Sequence, residues 1–229
     1  MDRGMHFTPD RAAHRSALLA LLFLTGATIL SNPARAQDAA RPPDDSEYIV
    51  FIIDTSGSMF THDWPMMLEK VEETLNLYPK LKGFQVMNDE GVYMFADYRG
   101  KWMPDTPAQR RTVLERLRTW NAFSNSSPIE GIVEAIRSYH ATDEKISLYV
   151  FGDEFTGPSI DSVVDGVDNI NRKDATGARR VRIHAIGFPL RPDAPQDTSI
   201  RFATLMRILC QRNGGSFVSL NEPERSPTR

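Results

Sequence analysis

Asp54, Ser56 and Ser58 are the residues best placed by type and spacing to do chemistry. They stand in Asp54-Thr55-Ser56-Gly57-Ser58, directly after the apolar run Tyr48-Ile49-Val50-Phe51-Ile52-Ile53. An acidic residue at the end of a buried strand, followed by hydroxyls at alternate positions, can bring three hard oxygens to one point. Gly57 lets the backbone turn tightly between them. Hard oxygens with a single carboxylate suit a small divalent cation that keeps some of its waters, as magnesium does. Taken singly, each residue has a plainer use: Ser56 as a helix cap, Asp54 as the end of a strand.

The elements that must position this loop follow from hydrophobic patterning. The continuous run from Tyr48 to Ile53 marks a strand buried on both faces. Met67, Val71, Leu75 and Tyr78 recur at helical spacing from Trp64 to Tyr78, where Pro79 limits further helix. Gly83 to Met87 and Val92 to Phe95 flank Asn88-Asp89-Glu90-Gly91 and predict a hairpin. Asp105-Thr106-Pro107 predicts a helix start, and Ile129 to Tyr139 and Ser159 to Ile170 predict further helices. Ile146 to Phe151 and Val181 to Ile186 are further central strands. Phe202 to Leu209 is a helix, and Gly214-Gly215 turns it into a last strand, Ser216 to Leu220.

This alternation predicts an α/β fold: an open, mostly parallel sheet with one antiparallel edge strand from the hairpin and helices on both faces. Ligands of such sheets bind beyond the carboxyl ends of the strands, where strand order reverses. That rule selects the loops after Ile53, before Ile129 and after Phe151.

Bulk properties are those of an ordinary globular protein. The chain has 229 residues, a net charge of −3, 41% hydrophobic and 25% charged residues, enough for one sizeable core. The slightly acidic balance argues against nucleic acid or an anionic membrane as main partner. Cys210 is the single cysteine, which excludes an internal disulfide, and its apolar helical spacing reads as core. His62, His140 and His184 lack zinc-ligand spacing.

The amino-terminal residues read as an address. Arg3, Arg11 and Arg15 precede the apolar run Ala17 to Leu30, and Ala34-Arg35-Ala36 suits signal peptidase. The run is short against the roughly 20 residues of a membrane span. The expected organisation is a signal peptide over 1–36, a linker over 37–46, the α/β domain over 47–221 and a flexible tail over 222–229. The expected location is periplasmic or secreted, an uncleaved membrane anchor being the alternative. Without its leader the chain has no membrane span.

The run Ile49 to Met59 resembles the first strand and metal loop of von Willebrand factor type A domains, and the resemblance extends from about Tyr48 to about Leu220. It implies a Rossmann-like sheet with a metal-ion-dependent adhesion site. Five residues from three loops surround the cation in that family, and the first three fall on Asp54, Ser56 and Ser58. The fourth, a threonine, is matched by Ser127 in Ser127-Pro128-Ile129-Glu130, with Ser124 and Ser126 competing for the role. The fifth falls on Asp153 in Phe151-Gly152-Asp153-Glu154, where Gly152 and Glu154 replace the family's threonine and glycine.

The resemblance implies a non-enzymatic protein-binding module that holds Mg2+ (or Mn2+ or Ca2+). A partner protein presenting an Asp or Glu would complete the coordination. The oligomeric state is left open. An alternative comes from another similarity, to magnesium-dependent phosphohydrolases that form a phosphoaspartate, with Asp54 as nucleophile. Those enzymes need a second acidic residue where this chain has Ser56, and a later aspartate where it has Gly157.

Overall fold

The six residues of β1 (Tyr48–Ile53) are the centre around which the domain is built. Their side chains alternate between two apolar layers, Ile49, Phe51 and Ile53 entering one and Val50 and Ile52 the other. Such a strand can only be satisfied by neighbours on both edges and cover on both faces. The computed structural model, which describes residues 44–139, 144–189 and 196–220, supplies both. The expected signal peptide, most of the expected linker and the expected tail lie outside the described residues.

On one edge β1 pairs in parallel with β2 (Gly83–Asn88), on the other with β4 (Ile146–Gly152). With β3 (Met103–Pro104), β5 (Val181–Gly187) and β6 (Phe217–Ser219) they form a six-stranded sheet of order β3-β2-β1-β4-β5-β6. Only β3 runs antiparallel, so the fold is the expected open, mostly parallel α/β sheet. Helices α1 (Trp64–Leu77) and α2 (Pro107–Leu117) cover one face through Met67, Val71, Val113 and Leu117. The other face is covered by α3 (Ile129–Tyr139), α4 (Ile160–Ile170) and α5 (Gln196–Arg212).

Local chemistry explains the boundaries. Thr106 caps α2 by accepting from the Gln109 N–H at 3.1 Å, with Pro107 in the first turn where no N–H is needed. Ser159 caps α4 in the same way. Helix α5 already runs at Gln196, well before the expected start at Phe202, because the apolar spacing that marks it in the sequence begins only after its polar first turns.

Two expectations are revised. The antiparallel edge is not Val92 to Phe95 but the two-residue β3, since the chain after β2 makes only a single bridge, Met87 to Tyr93. Asn88 Oδ1 accepts from the N–H of Glu90 at 3.1 Å and of Val92 at 2.7 Å, closing a tight turn after which the chain returns beside β2 only as far as the Met94 N–H to Val86 O bond at 3.0 Å.

The second revision concerns residues 44–46, read as linker, which are tied into the fold at the amino ends of the central strands. Asp44 accepts from Tyr78 Oη at 3.0 Å and Ser147 Oγ at 2.7 Å, and pairs with His184 Nε2 at 2.9 Å. Burial works against its charge, but hydrogen bonds from His184, Ser147 and Ser46 outweigh it and hold the carboxyl far below the usual range.

Candidate metal centre

Strand order reverses between β1 and β4, so the loops leaving their carboxyl ends diverge and leave a cleft. Asp54 leaves β1 there and Asp153 leaves β4, and both are buried. Between them stand Ser56 and Ser58, whose hydroxyls lie 3.0 Å apart, and Ser58 Oγ donates to Asp153 Oδ1 at 3.2 Å. The Ser56 N–H donates to Asp54 Oδ1 at 2.8 Å, which fixes the turn. Four of the five residues expected from the sequence are thereby brought together.

The other oxygen of Asp54 has no such tie. Asp54 Oδ2 is buried and has no hydrogen-bond partner. It faces Gly152, where an added Cβ would lie 3.3 Å from it. A bare carboxylate oxygen buried against a glycine is costly unless something positive reaches it. Burial, reinforced by the charges of Asp89 and Asp153, holds the Asp54 carboxyl well above the usual range. Burial likewise pushes Asp153 up to about 6, with Glu154 and Asp63 adding to the effect and Ser58 opposing it. The donor set is two carboxylates and hydroxyls, all hard oxygens, which fits a small divalent cation. Among the described residues no group of three or more His, Cys, Asp or Glu is arranged to hold a metal, so hydroxyls are required for any site here.

Ser127 is placed differently from its expected role. Its hydroxyl donates to Glu130 Oε2 at 2.9 Å at the surface, in the first turn of α3. Only its backbone N–H turns inward, to Asp89 Oδ2 at 3.1 Å. Ser124, three residues earlier, is the hydroxyl that meets the Asp54-to-Ser58 loop, accepting from the Thr55 N–H at 3.2 Å.

Asp89 was read as part of a turn, and the structure makes it the bracket of the site. Fully buried at the end of β2, it joins the Thr55 loop to the segment before α3. Burial raises its carboxyl from the ordinary range, although hydrogen bonds from Ser124, Ser127 and Thr55 oppose this. Asp63 was also missed. It ends a π-helical turn, Met59–Asp63, that follows the metal loop, and its charge is felt at Asp153. The local signal for the π-turn is Pro65, which has no N–H to donate where the turn passes into α1.

No protein-family model matches the chain, and no curated protein matches it in sequence. Solved structures do match in fold. A von Willebrand factor type A structure from Catenulispora acidiphila is 15% identical over 78% of this chain, with a TM-score of 0.58. The chain spans 39% of that structure's length. The human COPII-coat protein Sec24c is 10% identical with a TM-score of 0.47, over 81% of this chain and 31% of its own. The open conformation of the pilus adhesin SpaC from Lactobacillus rhamnosus GG is 11% identical with a TM-score of 0.49, over 80% and 29%. At such identities the first match establishes the fold alone: the described domain has a von Willebrand factor type A-like α/β architecture. Among the described residues no helix is long and apolar enough to cross a membrane.

Proposed function

We propose that the domain is a divalent-cation-dependent protein-binding module that closes on a carboxylate presented by a partner. The observation that carries this reading is the buried, unpartnered Asp54 Oδ2 beside Gly152. Asp54, Ser56, Ser58 and Asp153 would hold Mg2+, Mn2+ or Ca2+. The segment from Ser124 to Ser127 would supply the remaining hydroxyl. Asp89 is withdrawn from the set, since both its oxygens already accept hydrogen bonds from neighbouring loops. When bound, the cation supplies positive charge for an incoming aspartate or glutamate, a contact that an amide would match only weakly.

The hydroxyls and carboxylates of this chain leave no excess negative charge over a divalent ion. A partner's carboxylate is therefore accommodated without repulsion from the liganding residues. A place in the cell envelope, periplasmic or secreted, follows from the leader read over residues 1–36 and belongs to the same proposal.

Calorimetric titration of magnesium and manganese into wild type and Asp54→Ala tests the centre. Binding by wild type and its loss in the variant are expected; equal affinity in both sinks the site. Affinity capture from an envelope extract, in magnesium and again in chelator, tests the module. A partner retained equally in chelator contradicts the reading.

A further inference from the structure

The pole that holds Asp54 also carries most of the exposed apolar side chains. Among the described residues the large hydrophobics open to solvent are Phe123 at 71%, Ile200 at 54%, and Val92 and Val218 at 50%. Val92 follows the β2 turn next to Asp89, and Ile200 lies in the first turns of α5. That start of α5 is joined to the Asp153 loop, the Phe155 N–H donating to Thr198 O at 3.0 Å.

Phe123 is the most exposed and the most deliberately held. Its backbone has φ 36°, and Ser126 beside it has φ 56°, conformations that bulky L-residues avoid. The loop cannot relax because its ties run in several directions. Ser124 Oγ holds the Thr55 N–H at 3.2 Å, Asn125 Nδ2 reaches Glu90 Oε1 at 2.9 Å, and Ser126 O accepts from Thr156 N–H at 3.1 Å. Ala122, immediately before Phe123, packs against the apolar layer under α1 and α2. The segment is pinned on both sides while the ring points to water. Through Ser124 and its hydrogen bond with the Thr55 N–H, the Phe123 Cα lies within ~15 Å of the Asp54 Cα, two residue steps of ~3.8 Å and the ~7 Å from Ser124 to Thr55.

We propose that Phe123 is the apolar anchor of the partner-binding face. The partner is a polypeptide segment that presents one acidic residue to the metal centre and a large aliphatic or aromatic side chain to Phe123. At ~3.4 Å per extended residue, the two lie within about four residues of each other. Aromatic anchors beside a polar contact are the usual carriers of binding energy at interfaces. Charge selects the rest of the segment. Glu90 and Glu130 are exposed on this rim and Glu154 is partly so, which repels further acidic residues and favours neutral or basic ones. The inference rests on the metal-dependent reading above.

The test is a selection from displayed linear peptides, random except for one central position restricted to Asp, Glu, Asn or Gln. It is run on wild type, Phe123→Ala and Phe123→Leu in magnesium, and on wild type in chelator. Wild type is expected to enrich an acidic centre with an apolar side chain within about four residues. Phe123→Ala keeps the acidic preference, loses the apolar one, and binds the best wild-type peptide about tenfold more weakly. Phe123→Leu recovers most of that loss. An acidic preference without an apolar one, or the same apolar preference in Phe123→Ala, overturns the Phe123 anchor and leaves the metal-dependent reading intact. No acidic preference, or selection unchanged in chelator, overturns that reading itself.

Discussion

Gly152 lies so close to Asp54 that a methyl group on it would sit 3.3 Å from both the Cβ and the Oδ2 of the aspartate. The same methyl would meet Phe202 Cε2 at 3.0 Å, so it cannot lean away. The absent side chain at position 152 lets Asp54, with its unpartnered oxygen, lie close against the end of β4. Gly152→Ala is expected to weaken magnesium or manganese affinity by about 1–3 kcal/mol through crowding. Calorimetry checks this; undiminished affinity would mean that Asp54 Oδ2 does not face the ion.

Ser124 and Ser127 should separate by what they lose. Ser127→Ala removes the hydrogen bond to Glu130 at the start of α3 and is expected to cost about 1 kcal/mol of stability, with little effect on metal affinity. Ser124→Ala removes the hydroxyl that accepts from the Thr55 N–H and is expected to weaken metal binding more than Ser127→Ala does. Parallel urea denaturation and metal titration distinguish the two. The reverse order of metal affinities would return the hydroxyl role to Ser127.

The carboxyl of Asp153 makes the metal-free protein less stable as pH rises. Its folded value is raised from 3.8 to about 6 by burial, so between those values the folded state holds more protons than the unfolded one. Stability contributed by this group is therefore lost as pH climbs through that window. In chelator, Asp153→Asn should show a flatter pH dependence than wild type from about pH 4 to about pH 6 and bind metal poorly at any pH. A wild-type curve that rises over the window relative to the variant would contradict the assignment.

The loop from Asp54 to Ser58 was legible as a candidate site because its parts are neighbours in sequence: a buried strand, an aspartate at its end, hydroxyls at alternate positions. Asp153 was legible by the same token at the end of β4. Asp89 was not. Asn88-Asp89-Glu90-Gly91 has the composition of a turn, and the burial of Asp89 arises only because β2 pairs with β1. The choice among Ser124, Ser126 and Ser127 depends on positive φ at Phe123 and Ser126, and no glycine marks either position. The edge strand Met103–Pro104 is too short to show a period of two.

Phe123→Gly should stabilise the domain. Glycine adopts φ 36° without steric cost, and the exposed ring loses few contacts in the fold. A gain of about 1 kcal/mol is expected after allowing for the added freedom of the unfolded chain. Thermal denaturation in chelator measures it, and a loss of stability would mean that the ring packs more than its exposure indicates.

At the far pole, Asp44→Asn should cost stability without touching the metal centre. The carboxylate is hydrogen-bonded to side chains from three parts of the fold, Tyr78, Ser147 and His184, and loss of its charge is expected to cost about 2–3 kcal/mol. Urea denaturation should register the change while magnesium affinity for the folded protein stays constant. A parallel fall in metal affinity would reveal coupling between the poles.

The Asp44 to His184 contact joins positions 140 residues apart, and β1 likewise waits for β4, with Tyr48 set opposite Ile146. A chain emerging from its amino terminus can pair β1 with β2 early, but one edge of β1 stays open until β4 arrives. The clasp at Asp44 closes only after β5 has followed. Closing such distant loops is slow, because the entropy of the intervening chain is lost before the contacts compensate. Assembly is thus a late, cooperative event, and through most of synthesis the nascent chain remains open and threadable.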